Sequence, residues 1–245
     1  MTTDNIYAVG TRPQLNRRRD NEMSTIAIVG AGTGVGAAVA RRFGREGFRV
    51  ALFSRNQAKL DGLAAELSEQ NITARGFAVD VRDSIALTVA LEAASSELGP
   101  IEVLQYSPIP HRDFLKPISE TSITDLTGAV EFSIYGPFTA VQQVLPYMRS
   151  LRRGTIVFVN GGTSVRPRTQ YAGTSIAFAG ESAYAQVLHE ALEPDSVYVA
   201  QLVIPGAISD DDPDSNPAVI AQRIWTLHVE RTGFRHFLTP IEAPA

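Results

Sequence analysis

Short apolar runs alternate along this chain with stretches whose apolar positions recur at helical spacing. Runs at 26–29, 48–53, 74–79, 101–105, 155–159 and 197–204 predict six strands. Segments at 37–45, 58–67 and 84–98 predict helices between the first four strands. In the second of these helices Leu60, Leu63, Ala64 and Leu67 share one face, and Asp83 is placed to cap the third. A long helical region covers roughly 122–150, and another, roughly 174–192, precedes the sixth strand. A polar, proline-bearing loop at 207–217 then leads to a tail helix near 217–229 and a short strand near 234–238.

Strands apolar on both faces and separated by helices predict a parallel sheet covered on both sides. Right-handed crossovers make it an α/β, doubly wound parallel sheet, Rossmann-type and three-layered (α/β/α), in a single domain. That domain is expected to span 23–245. Residues 1–22 carry Arg17, Arg18 and Arg19 without an apolar core and read as a flexible polar leader ahead of Met23. Asp20, Asn21 and Glu22 stand where the apolar stretch of a twin-arginine export signal would begin. No run of 18 apolar residues exists, so no membrane span is expected and the predicted location is cytoplasmic.

Charge and cysteine content narrow the function. The net charge of −4 gives no basis for a nucleic-acid or membrane partner. The absence of cysteine excludes thiolate catalysis, disulfides and iron–sulfur clusters. The four histidines at 111, 189, 228 and 236 form no H-x-x-x-H pair, and the acidic run Asp210, Asp211 and Asp212 lacks EF-hand spacing, so no metal is expected.

The first strand runs into Gly30-Ala31-Gly32-Thr33-Gly34-Val35-Gly36 and then a helix. Glycine permits positive φ and close backbone approach to a pyrophosphate. A helix N-terminus adds free N–H groups and a positive dipole end. With the G-x-x-x-G-x-G spacing, with Ser54-Arg55 and Asp80-Val81 after the second and third strands, and with Gly136-Pro137 and Pro205-Gly206 further on, the chain resembles the short-chain dehydrogenase/reductase family over roughly 24–240. The resemblance implies a nicotinamide dinucleotide held by Gly30, Gly32, Thr33, Gly34, Val35, Gly36, Ser54, Arg55, Asp80, Val81, Ser107, Pro205 and Gly206. In it Asp80 takes the adenine amino group and Val81 backs the ring. The second strand ends without an acid to hold a ribose 2′-hydroxyl, whereas Arg55 suits a 2′-phosphate, so the expected cofactor is NADP(H).

Active members of that family carry an Asn–Ser–Tyr–Lys tetrad, and this chain departs from it. The resemblance places Ser133 at the Asn position and Gly161 at the Ser position, leaving Thr163 and Ser164 as nearby hydroxyls. Tyr171 is the tyrosine in the right loop, with Ser175 four residues later where Lys belongs. Counting back from Pro205-Gly206 instead puts the Tyr position near Thr174–Ser175 and the Lys position near Phe178–Ala179. Either way no lysine follows Lys116. A tyrosine with a pKa of about 10 is a poor proton shuttle without a neighbouring cation.

The candidate catalytic side chains are therefore Tyr171, Ser164, Thr163 and Tyr106, the last expected at the pocket rim after the fourth strand. His111 and Asp113, two apart in an extended segment, are expected to face opposite ways. The expected activity is an atypical NADP(H)-dependent reduction of a carbonyl, imine or conjugated small molecule. A non-redox cyclase, dehydratase or isomerase on the same fold and a nucleotide-binding pseudoenzyme are the alternatives. The family implies a homodimer or homotetramer through the helices at 122–150 and 174–192.

Overall fold

The computed structural model describes residues 24–241, so the expected leader at 1–22 lies outside the described residues. In chain order the elements are β1 Thr25–Val29, α1 Val35–Gly44, β2 Arg49–Ser54, α2 Gln57–Ser68, β3 Ala74–Ala78, α3 Ser84–Leu98 and β4 Ile101–Tyr106. After them come α4 Ile123–Val130, α5 Gly136–Leu151, β5 Gly154–Gly161, α6 Ala172–Leu192, β6 Val197–Ile204, α7 Pro217–Glu230 and β7 Arg235–Phe237. The strands form one sheet in the order β3-β2-β1-β4-β5-β6-β7, every neighbouring pair parallel. This is the doubly wound, single-domain sheet that the alternation predicts. Among the described residues no helix is long and apolar enough to cross a membrane, and no three metal-ligating side chains cluster.

Strand alternation divides the core in two. On β1, Ile26 and Ile28 join Phe43 of α1, Leu60 of α2 and Ile224 of α7 on one face. Ala27 and Val29 join Leu91 of α3, Met148 of α5 and Ala185 of α6 on the other. Full burial of each large aliphatic side chain contributes about 1.5–3 kcal/mol, which is why the central strands contain little else. β3 differs: at the sheet edge its side chains are half-buried or exposed, so it is not apolar on both faces.

The helical region expected at 122–150 is not continuous. A π-helical turn, Glu131–Tyr135, separates α4 from α5. Pro137 has no N–H to give the Ser133 carbonyl four residues back, and the wider turn absorbs that missing bond. Gly136 stands at the junction because a Cβ there would lie 2.4 Å from the Tyr106 hydroxyl.

The predicted cap on α3 forms, with the Asp83 carboxylate accepting from the Ala86 N–H at 2.9 Å. Asp83→Ala is expected to lower stability by about 1 kcal/mol in urea unfolding, with an unchanged m-value; an unchanged midpoint would mean the cap carries no weight.

Candidate active site

The glycine turn is built by close packing at its ends and open space in its middle. Gly30 has φ +97°, and a Cβ there would lie 2.4 Å from the Pro108 Cα. The N–H groups of Gly30 and Ala31 both reach the Phe53 carbonyl at 2.9 Å, tying the turn to the end of β2. A Cβ on Gly36 would come within 2.8 Å of the Ala31 Cα, so α1 starts hard against the turn. At Gly32 and Gly34, by contrast, a Cβ would meet nothing within 4 Å. No side chain caps α1, whose first N–H groups face this open stretch together with exposed Thr33 and half-buried Val35. A pyrophosphate fits this cradle: small residues, free N–H donors and a helix dipole end.

The remaining residues expected to hold a cofactor line the same carboxyl edge of the sheet. Ser54 is half-buried at the end of β2, and Arg55 beyond it is exposed, without an ion pair or hydrogen bond to any described residue. Asn56 caps α2 by accepting from Lys59 N–H at 3.0 Å. Asp80 is engaged by Arg82, which donates from its backbone at 3.0 Å and from Nη2 at 2.7 Å. Arg82 holds the Asp80 carboxyl below the usual carboxylate range, and exposed Arg55 adds to that pull. Val81 is buried beneath this turn. The Ser107 hydroxyl accepts from Gln105 Nε2 at 2.7 Å. A Cβ on Gly162, after β5, would lie 3.3 Å from the Pro205 Cα, so the loops after β5 and β6 touch, and exposed Gly206 follows.

The catalytic candidates do not gather as expected. Tyr106 is not at a pocket rim: it is 1% exposed and donates to the Phe132 carbonyl at 2.6 Å. The glycine at 136 leaves the notch into which its hydroxyl turns, and burial raises its pKa well above that of an ordinary tyrosine. Ser164 is buried and donates to the Gly161 carbonyl at 2.9 Å. Thr163 is half-buried, its hydroxyl free of bonds to described residues.

A Cβ on Gly161 would point to Phe178, 3.9 Å from Cε2. Phe178 thus faces Gly161, and Thr174 lies one turn earlier on α6. Thr174 donates to the Tyr171 carbonyl at 3.3 Å. Tyr171 sits at the N-cap of α6, 41% exposed. Lys116 does not substitute for the missing cation. Its ammonium pairs with Asp125 of α4 at 2.8 Å, which holds the Asp125 carboxyl down at about 2.

Two arrangements were not anticipated. His111 and Asp113 meet, Nδ1 to Oδ2 at 3.0 Å, because 112–115 is a 3₁₀ turn rather than an extended segment. Beneath the Gly161–Phe178 contact lies Glu181, 1% exposed, with Asn160 and Ser133 as hydrogen-bonding neighbours and Oε1 unpartnered. Asn160 accepts from Gln201 Nε2 at 3.0 Å, and Gln201 in turn accepts from Ser182 and Arg235, each at 2.9 Å. A polar chain thus runs from the edge strand β7 to the π-helical turn. An acid in the small-residue stretch of α6, three positions after Phe178, was the available signal. Two surface depressions, by Gln57 and Arg75 and by Ile85 and Gln143, lie away from this edge.

Burial pushes the Glu181 carboxyl well above 4.5, so the folded chain keeps a proton that the unfolded chain releases as pH rises. Native stability therefore falls with increasing pH above about 4.5 on account of this group. Glu181→Gln, which keeps the shape without the acid, is expected to gain on the wild type progressively between pH 5 and 8 in thermal unfolding; parallel curves would place the proton elsewhere.

With this geometry in hand, the short chain dehydrogenase family profile matches residues 24–215. A 2,3-dihydro-2,3-dihydroxybenzoate dehydrogenase from Bacillus subtilis is 30% identical over 186 residues, 75% of this chain and 69% of that protein. A D-threitol dehydrogenase from Mycolicibacterium smegmatis is 33% identical over 53% of this chain, which spans only 49% of that relative's length. A short-chain dehydrogenase structure from Rhodopseudomonas palustris superposes with a TM-score of 0.78 at 28% identity, covering 89% of this chain and 99% of that one. A Pseudomonas aeruginosa short-chain oxidoreductase described as containing an atypical catalytic centre shares the fold at TM-score 0.77 and 19% identity, over 87% of this chain and 95% of that one.

Proposed function

The chain belongs to the short-chain dehydrogenases, a family of NAD(P)(H)-using oxidoreductases, and from that premise we propose that it is an NADP(H)-dependent reductase of a small carbonyl, imine or conjugated substrate. The observation that carries the reading is Arg55: an unpaired guanidinium just past β2, beside an open glycine cradle and with no competing acid at the strand end. A guanidinium fork suits a 2′-phosphate, and an acid would suit a free 2′-hydroxyl. Ser54 adds a hydroxyl at the same corner.

When bound, the nicotinamide supplies or accepts the hydride. The chain's own residues hold and shape. Gly32 and Gly34 admit the pyrophosphate, Asp80 and Val81 form the adenine corner, and Phe178 with Gly161 makes the reacting end apolar and excludes water. Thr163 offers its free hydroxyl at the end of β5. Without a Tyr–Lys pair the substrate is an activated acceptor rather than a plain ketone. The family's self-association is part of the reading, and exposed Tyr135, Phe138 and Val187 on α5, α6 and the turn before them are what it would cover.

A non-redox reading is favoured by one specific fact: no lysine follows Lys116, so in either alignment of α6 with the family the lysine of the tetrad is missing. Turnover that persists without nucleotide would select it.

Calorimetric titration tests the cofactor assignment. NADPH is expected to bind more tightly than NADH. Arg55→Ala is expected to weaken NADPH about ten- to a hundredfold, the worth of a charge-assisted contact of about 1.5–3 kcal/mol, and to leave NADH nearly unchanged. Equal affinities in the wild type would overturn it.

A further inference from the structure

The segment from Ser107 to Ile118 bridges the two halves of the site. At one end Pro108 lies against Gly30 of the cofactor turn. At the other, the Lys116 carbonyl accepts from Ala172 N–H at 3.0 Å and Ile118 N–H reaches Thr169 O at 2.9 Å, at the entrance to α6. Between them the Phe114 carbonyl would touch a Cβ on Gly173 at 2.7 Å, next to Thr174 in the first turn of α6. His111 sits in this bridge with its ring 6.1 Å, edge-on, from that of Phe114.

The imidazole is held in a defined way. Nδ1 faces Asp113 Oδ2 at 3.0 Å, and the Asp113 N–H approaches the same nitrogen at 3.4 Å. The shorter contact, to a carboxylate, sets Nδ1 as the protonated nitrogen. Nε2 then has no partner among the described residues, and the ring is 47% exposed. The charges on and next to this loop are Asp113, Arg112 and Lys116, the last 3.8 Å from Asp113, and Asp125 of α4, which binds Lys116.

We propose that His111, oriented by Asp113, is the proton donor of the reductive reaction in place of the family's tyrosine and lysine. The inference rests on the NADP(H) reading above. As the substrate carbonyl carbon receives the hydride from the reduced nicotinamide, the C=O π pair moves to oxygen, and that oxygen takes the proton from Nε2–H of the imidazolium. The imidazole left behind keeps its Nδ1 proton on Asp113 and regains the other from solvent.

The test compares wild type, His111→Ala and Asp113→Asn on NADPH affinity, on kcat against pH with a panel of α-diketones, cyclic imines and enones, and on the ¹⁵N-detected tautomer of His111. His111→Ala is expected to bind NADPH within about twofold of wild type. Its kcat is expected to fall about 10²-fold or more, to lose the limb of the pH profile that declines toward high pH, and to recover on adding imidazole. The wild type is expected to show Nδ1–H, and Asp113→Asn to shift that tautomer balance. Turnover with an unchanged pH profile in His111→Ala, or an Nε2–H tautomer in the wild type, overturns the proposal while the cofactor reading stands. Failure of NADPH to bind, or of every acceptor to react, overturns both.

Discussion

The site depends on one steric constraint: at Gly30 the cofactor turn and the loop after β4 press backbone against backbone. With φ +97° and Pro108 where a Cβ would go, only glycine lets the two loops meet. Because they meet, the turn is pinned from one side by Pro108 and from the other by the Phe53 carbonyl, and its middle stays open. The same contact fixes where the bridge carrying His111 and Asp113 begins. A second constraint of the same kind acts at Gly136, where the missing side chain lets Tyr106 turn inward onto Phe132. That choice takes a tyrosine out of the site.

These constraints explain which parts of the molecule could be read along the chain. Strand and helix order followed from periodicity because burial on both faces of β1, β2, β4, β5 and β6 leaves a continuous apolar signature. The glycine turn was legible because positive φ and close approach admit one residue type. Side-chain direction was not. Tyr106 ends a buried strand, and whether its ring points to solvent or into the core depends on what α5 leaves open 30 residues later. His111 and Asp113 face apart in an extended chain and together in a 3₁₀ turn, and the polar, proline-flanked segment gave no periodicity from which to choose. The register of α6 against the family is open by about four residues along the chain, because its small-residue run repeats no feature that would fix it; in the fold Gly161 faces Phe178.

The electrostatics divide along the same line. At the outer rim, charges are exposed and paired locally: Asp80 with Arg82, Asp113 with His111 and Lys116. Beneath the reacting end, the charge is withdrawn. Phe178 faces Gly161, and the acid one turn further, Glu181, is buried and keeps its proton. An interior that holds a neutral acid and an apolar ring stabilises a tyrosinate poorly, which is consistent with the proposal that the proton comes from the rim.

The most direct measurement of that claim is the NADPH-dependent turnover of Tyr171→Phe beside the wild type, at the pH optimum and at saturating nucleotide. With Tyr171 at the exposed cap of α6 and His111 as the proposed donor, rates within about twofold are expected, well short of the 10²–10⁴ that a general acid contributes. A loss of that size would return the proton to Tyr171 and contradict the account.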